Sequence, residues 1–400
     1  MIETALLTAP PRGGEAIFGR PLLERLLTSC ERAGIKRFFI QATAEEREHV
    51  ASSMGRFAGR SEVQMVDSFE ELLNGPYRID PSARCLALNG NLVISSWFLN
   101  RIVAEAEYQA GRVTTMLSAD PERAGSIAIG PVTEFARAGM VPGATTRTAS
   151  YLPFALNGRP EDREEAEIRL ARSLKQETAD TDAFLARHVD RNLSWRISIR
   201  LARIRGVTAN LVTLANTAIG LLCGWMFASP WYWVRMAAAM LFLFSVTVDG
   251  VDGELARLTM TESKFGGMLD KITDNIVHVA VFAGIFVGCY RTSGSSRYLY
   301  LIPVVLIGFS LCAIATYRAF QVHGADAEEW ISKVDRTSGR DFAYLLVLLA
   351  AVNRLSYFAW GVAFGTYVFA FGLMWLTQRR RGRAGTGAVP NNSGAPAEEL

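Results

Sequence analysis

Two regimes of hydrophobic patterning divide the chain. In the first, short apolar runs alternate with amphipathic stretches. Ile2 to Thr8, Arg37 to Gln41, Val63 to Val66, Cys85 to Leu88, Val113 to Leu117 and Ile127 to Ile129 predict strands. Pro21 to Ala33, with Leu22, Leu23, Leu26 and Leu27 on one side, predicts a helix, as do Ala44 to Phe57 and Ser95 to Ala110. This alternation predicts a doubly wound α/β domain with a mainly parallel sheet, placed at residues 1–150. Residues 151–181 read as a linker with a charged, solvated helix from Pro160 to Lys175. In 182–205, Phe184, Leu185, Val189, Leu193, Ile197 and Leu201 recur at helical spacing among arginines. That pattern predicts an amphipathic juxtamembrane helix on an anionic membrane face.

The second regime is long and apolar. Runs at 209–228, 231–258, 266–290, 298–320, 341–353 and 356–377 predict a six-helix, all-α integral membrane domain at 206–378. Most reach the roughly 20 residues that a spanning helix needs, and the fifth is short. Residues 379–400, basic and then rich in Gly, Pro, Ala and Asn, predict a disordered tail. Arginines before the first run, Arg257, Lys264, Lys271, Lys333, Arg336, Arg340 and Arg379 to Arg381 fall on one side of the bilayer. Arg235, Arg291, Arg297 and Arg354 fall on the other. The first set predicts the cytoplasmic side of an inner membrane, with front domain and tail cytoplasmic.

Composition adds little, because the averages hide the split. Half of the 400 residues are hydrophobic, a fifth are charged, and the net charge is +3. Nothing in that balance favours a nucleic-acid partner. Cys30, Cys85, Cys223, Cys289 and Cys312 are scattered without a C-x-x-C, so neither a disulfide framework nor a zinc site is expected. Met1 to Pro10 lacks the basic start and apolar core of a secretory leader.

Chemistry concentrates in residues 249–274. Asp249, Asp252, Gly253 and Ala256 follow i, i+3, i+4, i+7 and share one helix face; Asp270 and Asp274, at i and i+4, share another. Carboxylates at membrane depth cost roughly 2.5–3.5 kcal/mol each, so four of them point to a function. If the two helices are neighbours, the carboxylates converge and repel unless cations neutralise them. An oxygen-only set suits a hard cation, and two such ions can clamp a diphosphate. A proton relay or an ion pathway is the alternative reading of the same cluster.

The stretch fits D-x2-D-G-x2-A-R-x8-G-x3-D-x3-D at every fixed position. It resembles the signature of the CDP-alcohol phosphotransferase family. The resemblance implies a membrane enzyme that moves a phosphoryl-alcohol group from a CDP-alcohol donor to an acceptor hydroxyl and releases CMP, using two Mg²⁺ or Mn²⁺ ions. It implies metal binding by Asp249, Asp252 and Asp270. Asp274 is implied as the general base, with a fourth metal ligand as its other role. Asp249, Gly253, Ala256, Arg257 and Gly266 are implied to shape the CDP site, and a homodimer through the membrane domain is implied. A phosphorylated acceptor would need cations, for which Arg318 and then Arg340 are candidates; otherwise they mark the positive-inside boundary. His278, one turn beyond Asp274, either lines the pocket or packs in the core, and packing is the commoner case.

The front domain resembles sugar-phosphate nucleotidyltransferases in Gly19-Arg20-Pro21-Leu22-Leu23-Glu24 and in Leu86-Ala87-Leu88-Asn89-Gly90-Asn91. It departs where that chemistry sits. Thr8 to Gly14 is no Gly-rich phosphate loop, and Asn91 stands where the family carries a metal-binding Asp. The expectation is a retained fold without cytidylyl transfer, with Arg12 and Asn91 as loop residues. The pairing of the two parts is similar to fused inositol-phosphate cytidylyltransferase/di-inositol-phosphate-phosphate synthases, which leaves CDP-inositol open as a donor.

Overall fold

A computed structural model describes residues 2–10, 16–77, 79–108, 114–117, 126–138, 146–147, 154–156, 160–177, 191–323 and 342–386. The chain forms two compact units. One holds residues 1–180, 192–209 and 251–264; the other holds 181–191, 210–250 and 265–400.

The first unit is built on strands β1 (Thr4–Thr8), β2 (Ala16–Ile17), β3 (Arg20–Pro21), β4 (Arg37–Gln41), β5 (Val63–Val66), β6 (Arg84–Leu88), β7 (Leu92–Val93), β8 (Thr114–Leu117), β9 (Ser126–Pro131), β10 (Thr146–Arg147) and β11 (Phe154–Ala155). Its helices are α1 (Leu22–Arg32), α2 (Arg47–Ser53), α3 (Glu71–Asn74), α4 (Ser96–Tyr108), α5 (Val132–Ala138), α6 (Pro160–Glu177) and α7 (Arg191–Ala202). The main sheet has seven strands in the order β10-β8-β9-β6-β1-β4-β5. Pairs β1–β4, β1–β6, β4–β5 and β8–β10 are parallel, whereas β9 runs antiparallel to both β6 and β8. The sheet is therefore mixed at one side rather than parallel throughout.

Both sheet faces are buried, which is why its strands read as continuous apolar runs. Ala5, Leu7, Phe38, Ile40, Leu86 and Leu88 face one core, closed by Leu23, Leu26 and Leu27 of α1 and Leu99 and Ile102 of α4. Leu6, Phe39, Cys85 and Ala87 face the opposite core with Leu72 of α3 and Phe135 of α5. This is the doubly wound α/β architecture. The hairpin β2–β3 turns at Phe18 and Gly19, both with positive φ, as a two-residue hairpin turn requires.

The division differs from the sequential boundaries expected at 150, 181 and 205. Helix α6 is not merely solvated: Ala166, Leu170, Ala171 and Leu174, at i, i+4, i+5 and i+8, enter a third core with Ile17, Leu22, Ile199 and Leu258. The charges of the helix sit on its other side, as in the Arg169–Glu165 pair. On α7 the face buried in this unit is Ser194, Ser198 and Ile199, while Leu193 of the expected apolar stripe stays exposed. The stripe's residues 184, 185 and 189 lie outside the described residues.

The second unit is helical: α8 (Ala209–Phe227), α9 (Tyr232–Thr259, whose last turns belong to the first unit), α10 (Lys264–Ser293), α11 (Arg297–His323), α12 (Phe342–Ala351) and α13 (Leu355–Thr386). Five are long and apolar enough to cross a membrane, and α12 is a shorter apolar helix. Large apolar side chains such as Trp225, Trp233, Phe364 and Val368 are exposed, as lipid-facing residues would be. Helix α13 continues to Thr386, so 379–386 are helical rather than disordered; 387–400 lie outside the described residues. Helices α8 and α10 meet through glycine. A Cβ at Gly284 would strike the Gly224 carbonyl oxygen, and one at Gly288 the Phe227 carbonyl oxygen. Small residues let two helix backbones approach this closely.

Candidate active site

The close approach of the helices sets the site. Asp249 lies near the end of α9, and Asp270 and Asp274 lie in the first turns of α10. The structure brings these three together: each offers a carboxylate oxygen, and all three atoms lie within 4.8 Å of one another. Asp252, one turn further along α9, is outside this group; its carboxylate accepts the Gly253 amide at 2.6 Å. Carboxylates this close repel in the absence of a counter-charge, and their oxygens match the preference of a hard divalent cation.

A cavity of about 620 Å³ adjoins the group and is lined by Asp249 and Asp274. Along α10 its wall runs Asp274, His278, Phe282; along α9 it runs Asp249, Ser245, Phe242. Both series leave the carboxylates at one end and move away from them, about 10–12 Å over seven to eight residues at the helical rise. Asn216 of α8 accepts a hydrogen bond from Ser245 Oγ at 2.8 Å, which ties α8 to α9 on this wall. His278 lines the cavity and also packs on Phe342 and Phe282, with ring centroids 5.6 and 6.0 Å away. Arg318 is exposed and does not line the cavity; Arg340 lies outside the described residues.

The last turns of α9 carry the rest of the signature and fold with the front strands. The Arg257 guanidinium lies beside Gly253, where an added Cβ would sit 3.6 Å from Nη1, ordinary contact. Ala256 is half-buried on the same helix, and Gly266 sits in the first turn of α10. Glu254, buried, accepts from Ser194 Oγ at 2.8 Å and Ser198 Oγ at 2.6 Å. Helix α9 ends at Met260, in the left-handed region, with Thr261 N bonded to Ala256 O at 2.9 Å. Its terminal carbonyls take guanidinium donors from the front of the chain: Arg25 Nη1 to Leu258 O and Arg20 Nε to Thr259 O, both 2.6 Å. Arg32 pairs with Glu262 just beyond. Cations at a helix C-terminus satisfy orphan carbonyls and oppose the helix dipole. Arg25 is fully buried, and burial, followed by the nearby Arg20 and Arg32 charges, pushes its guanidinium down to about 10.

Sequence reasoning did not single out Glu254, Asn216 or Ser245. A polar Asn inside an apolar run is a legible signal for Asn216. Nothing local marks the partners of Glu254, which are 56 and 60 residues away. In the front unit Asn91 Nδ2 donates to Leu156 O at 3.3 Å, and the Asn91 backbone carbonyl accepts from Leu156 N at 2.9 Å. Gly90 lies so close to Thr8 that a Cβ would strike the Thr8 carbonyl oxygen. Arg12 lies outside the described residues.

With this geometry in place, relatives can be weighed. Residues 206–377 match the CDP-alcohol phosphatidyltransferase family. The chain is 28% identical over 196 residues to the bifunctional IPC transferase and DIPP synthase of Thermococcus kodakarensis, covering 48% of this chain and 43% of that protein. It is 31% identical over 117 residues to the archaetidylinositol phosphate synthase of Pyrococcus horikoshii, covering 29% of this chain and 60% of that one. It thus spans less than half the length of the bifunctional relative. Among solved structures, HddC from Yersinia pseudotuberculosis complexed with GMP-PN aligns over 42% of this chain and 99% of its own, at 14% identity and a TM-score of 0.30.

Proposed function

We propose that the chain is a membrane CDP-alcohol phosphotransferase that moves a phosphoryl-alcohol group onto an acceptor hydroxyl and releases CMP. The observation that carries this reading is the convergence of Asp249, Asp270 and Asp274 from two helices that bear the family's signature. The donor set, all carboxylate oxygen, fits Mg²⁺ or Mn²⁺, and Asp249, Asp252, Asp270 and Asp274 are the residues that would hold two ions. When bound, such ions neutralise a diphosphate and polarise it for displacement.

The chain's own residues do the rest. Gly253, Ala256, Arg257 and Gly266 shape the CDP site, with the small residues admitting the nucleotide close to the backbone. Asp274 accepts the proton of the acceptor hydroxyl. The hydroxyl oxygen bonds to the β-phosphorus, the bond from that phosphorus to the bridging oxygen breaks, and CMP leaves with the electron pair. The similarity to the bifunctional relatives supports CDP-inositol as one donor to test beside CDP-diacylglycerol. The positive-inside pattern supports an inner-membrane location with the carboxylates, front domain and tail on the cytoplasmic side. A homodimer through the membrane domain rests on the family resemblance.

The test is CMP release from CDP-diacylglycerol and from CDP-inositol by the purified full chain across a panel of acceptors. Release that stops in chelator and returns with Mg²⁺ or Mn²⁺ supports the reading; release indifferent to chelator refutes it. The front domain is proposed to be without cytidylyl transfer. The full chain given CTP and a polyol phosphate is expected to form no CDP-alcohol, and its formation would overturn that assignment.

A further inference from the structure

A second, smaller cavity lies wholly within the first unit, among α1, the start of α4, α6 and the end of α9. It measures about 50 Å³, more than the roughly 30 Å³ that one water occupies in the liquid. Three arginines line it against one carboxylate: Arg25 and Arg32 of α1, Arg257 of α9, and Glu262. Arg25 and Arg32, at i and i+7, share one face of α1. Glu262 pairs with Arg32. The other carboxylates near Arg25 are taken, Glu24 by Arg20 and Glu167 by Arg203. Arg25 and Arg257 make no ion pair among the described residues. Arg25 donates Nη1 to main-chain carbonyls, dipoles that bring no counter-charge. Arg257 Nε is buried with no hydrogen-bond partner among the described residues. Buried cations in this condition are costly, and like charges close by add to the cost. The rest of the wall donates too. Ser95 Oγ accepts from Phe98 N at 3.3 Å, which leaves its own proton to give. Ser96 and Trp97 open α4, and the first amides of a helix have no partner within it.

We propose that this cavity binds one phosphate group, as inorganic phosphate or as the terminal phosphate of a monoester. Guanidiniums, a hydroxyl and helix-start amides are the donors that such an oxyanion takes. The volume holds one tetrahedral oxyanion and has no room for the sugar and base of a nucleotide. The bound group supplies the missing counter-charge to Arg25 and Arg257 and joins α1 and α4 to the end of α9. None of Asp249, Asp270 and Asp274 lines this cavity, so phosphate binding here needs neither the metal site nor the phosphotransfer reading.

Binding is read on the full chain in maltoside micelles, with chelator and no donor, so that no metal holds phosphate at the carboxylates. Phenylglyoxal labelling of Arg32, whose side chain is 29% exposed, is followed by peptide mass spectrometry. Inorganic phosphate is expected to slow it several-fold relative to chloride at equal ionic strength. Phosphate is also expected to raise the Tm, as a ligand of the folded form does. Exclusion of phosphate from protein surfaces stabilises as well, so the comparison with variants decides. Ser173→Phe fills the cavity from α6, and Arg32→Gln removes a charge-assisted contact. Both are expected to lose the phosphate-specific rise, and Arg32→Gln to weaken binding at least about tenfold. Where Ser173→Phe does not fold, Arg32→Gln and labelling of the unsubstituted chain decide. Glycerol 3-phosphate and a phosphatidic acid form further arms. Protection at lower concentration than inorganic phosphate assigns the site to an ester's terminal phosphate, and the reverse order assigns it to the free ion. Protection of Arg32 by none of the three overturns the inference, as does an equal rise in Tm in wild type and Arg32→Gln. Asp249→Asn is expected to keep the protection; its loss there would put the phosphate at the carboxylates and overturn the inference too.

Discussion

The buried ions of the front unit and the half-buried carboxylate group of the helical unit are placed in opposite ways. In the front unit Arg25, Glu254 and Glu167 are each matched to a group of another kind. Arg25 meets main-chain carbonyls, Glu254 meets two serine hydroxyls, and Glu167 meets Arg203 at 2.7 Å and Arg163 at 3.3 Å. Glu167 in turn holds the Arg203 guanidinium above its usual range. In the helical unit three carboxylates are placed against one another. Charges matched to dissimilar groups serve the fold; like charges gathered in one place oppose it and persist where a ligand repays the repulsion.

Four substitutions test the contrast, in descending order of expected effect. Asp249→Asn removes one member of the carboxylate group and is expected to abolish CMP release and to weaken Mn²⁺ binding, read by paramagnetic resonance. Wild-type turnover in this variant would break the comparison outright. Asp274→Asn is expected to slow the chemical step at least about a hundredfold, the lower range for loss of a general base, while donor binding with metal persists. Nucleotide and metal affinity falling in step with rate would instead make Asp274 a ligand first.

Two further changes address the scaffold. Gly284→Val forces side-chain atoms against the Gly224 backbone and is expected to destabilise the helical unit by about 1–3 kcal/mol, as overpacked cores do. A melting temperature equal to wild type in nanodiscs would show that the two helices can part at no cost. Arg25→Ala strands the Leu258 carbonyl in a buried place and is expected to cost about 1–3 kcal/mol by denaturant titration. Because Arg25 sits at the end of the helix that carries Asp249, turnover is expected to fall by less than in Asp274→Asn. A fall as large as for Asp249→Asn would mean that the front unit's arginines are part of the site itself.

Much of the fold was legible because its signals are local. Strand runs and the leucines of α1 repeat with periods fixed by backbone geometry, so neighbouring residues suffice to read them. The hairpin at Phe18 was not legible, because a buried phenylalanine with positive φ is held by its surroundings rather than chosen by its own preference. The antiparallel placement of β9 was hidden for a similar reason: a short apolar run carries no mark of its direction. Helix α6 misled through its charges. Four small or apolar residues among many ionised ones gain their burial from partners as distant as Leu258.

The carboxylates show where the division falls. The sequence alone determined that Asp249 and Asp252 share a helix face, that Asp270 and Asp274 share another, and that both pairs adjoin long apolar runs, since helical spacing and length are properties of adjacent residues. It also carried the family's signature in full. Only the tertiary structure decided which three of the four converge and that Asp274 and His278 look into an aromatic cavity. It also decided that the end of α9 is held by Arg20, Arg25, Ser194 and Ser198. Those outcomes depend on how closely α8, α9 and α10 pack, on rings contributed by α11, α12 and α13, and on hydrogen bonds across more than fifty residues of chain. Separation along the chain does not encode distance in space, so only the packed helices could bring those groups together.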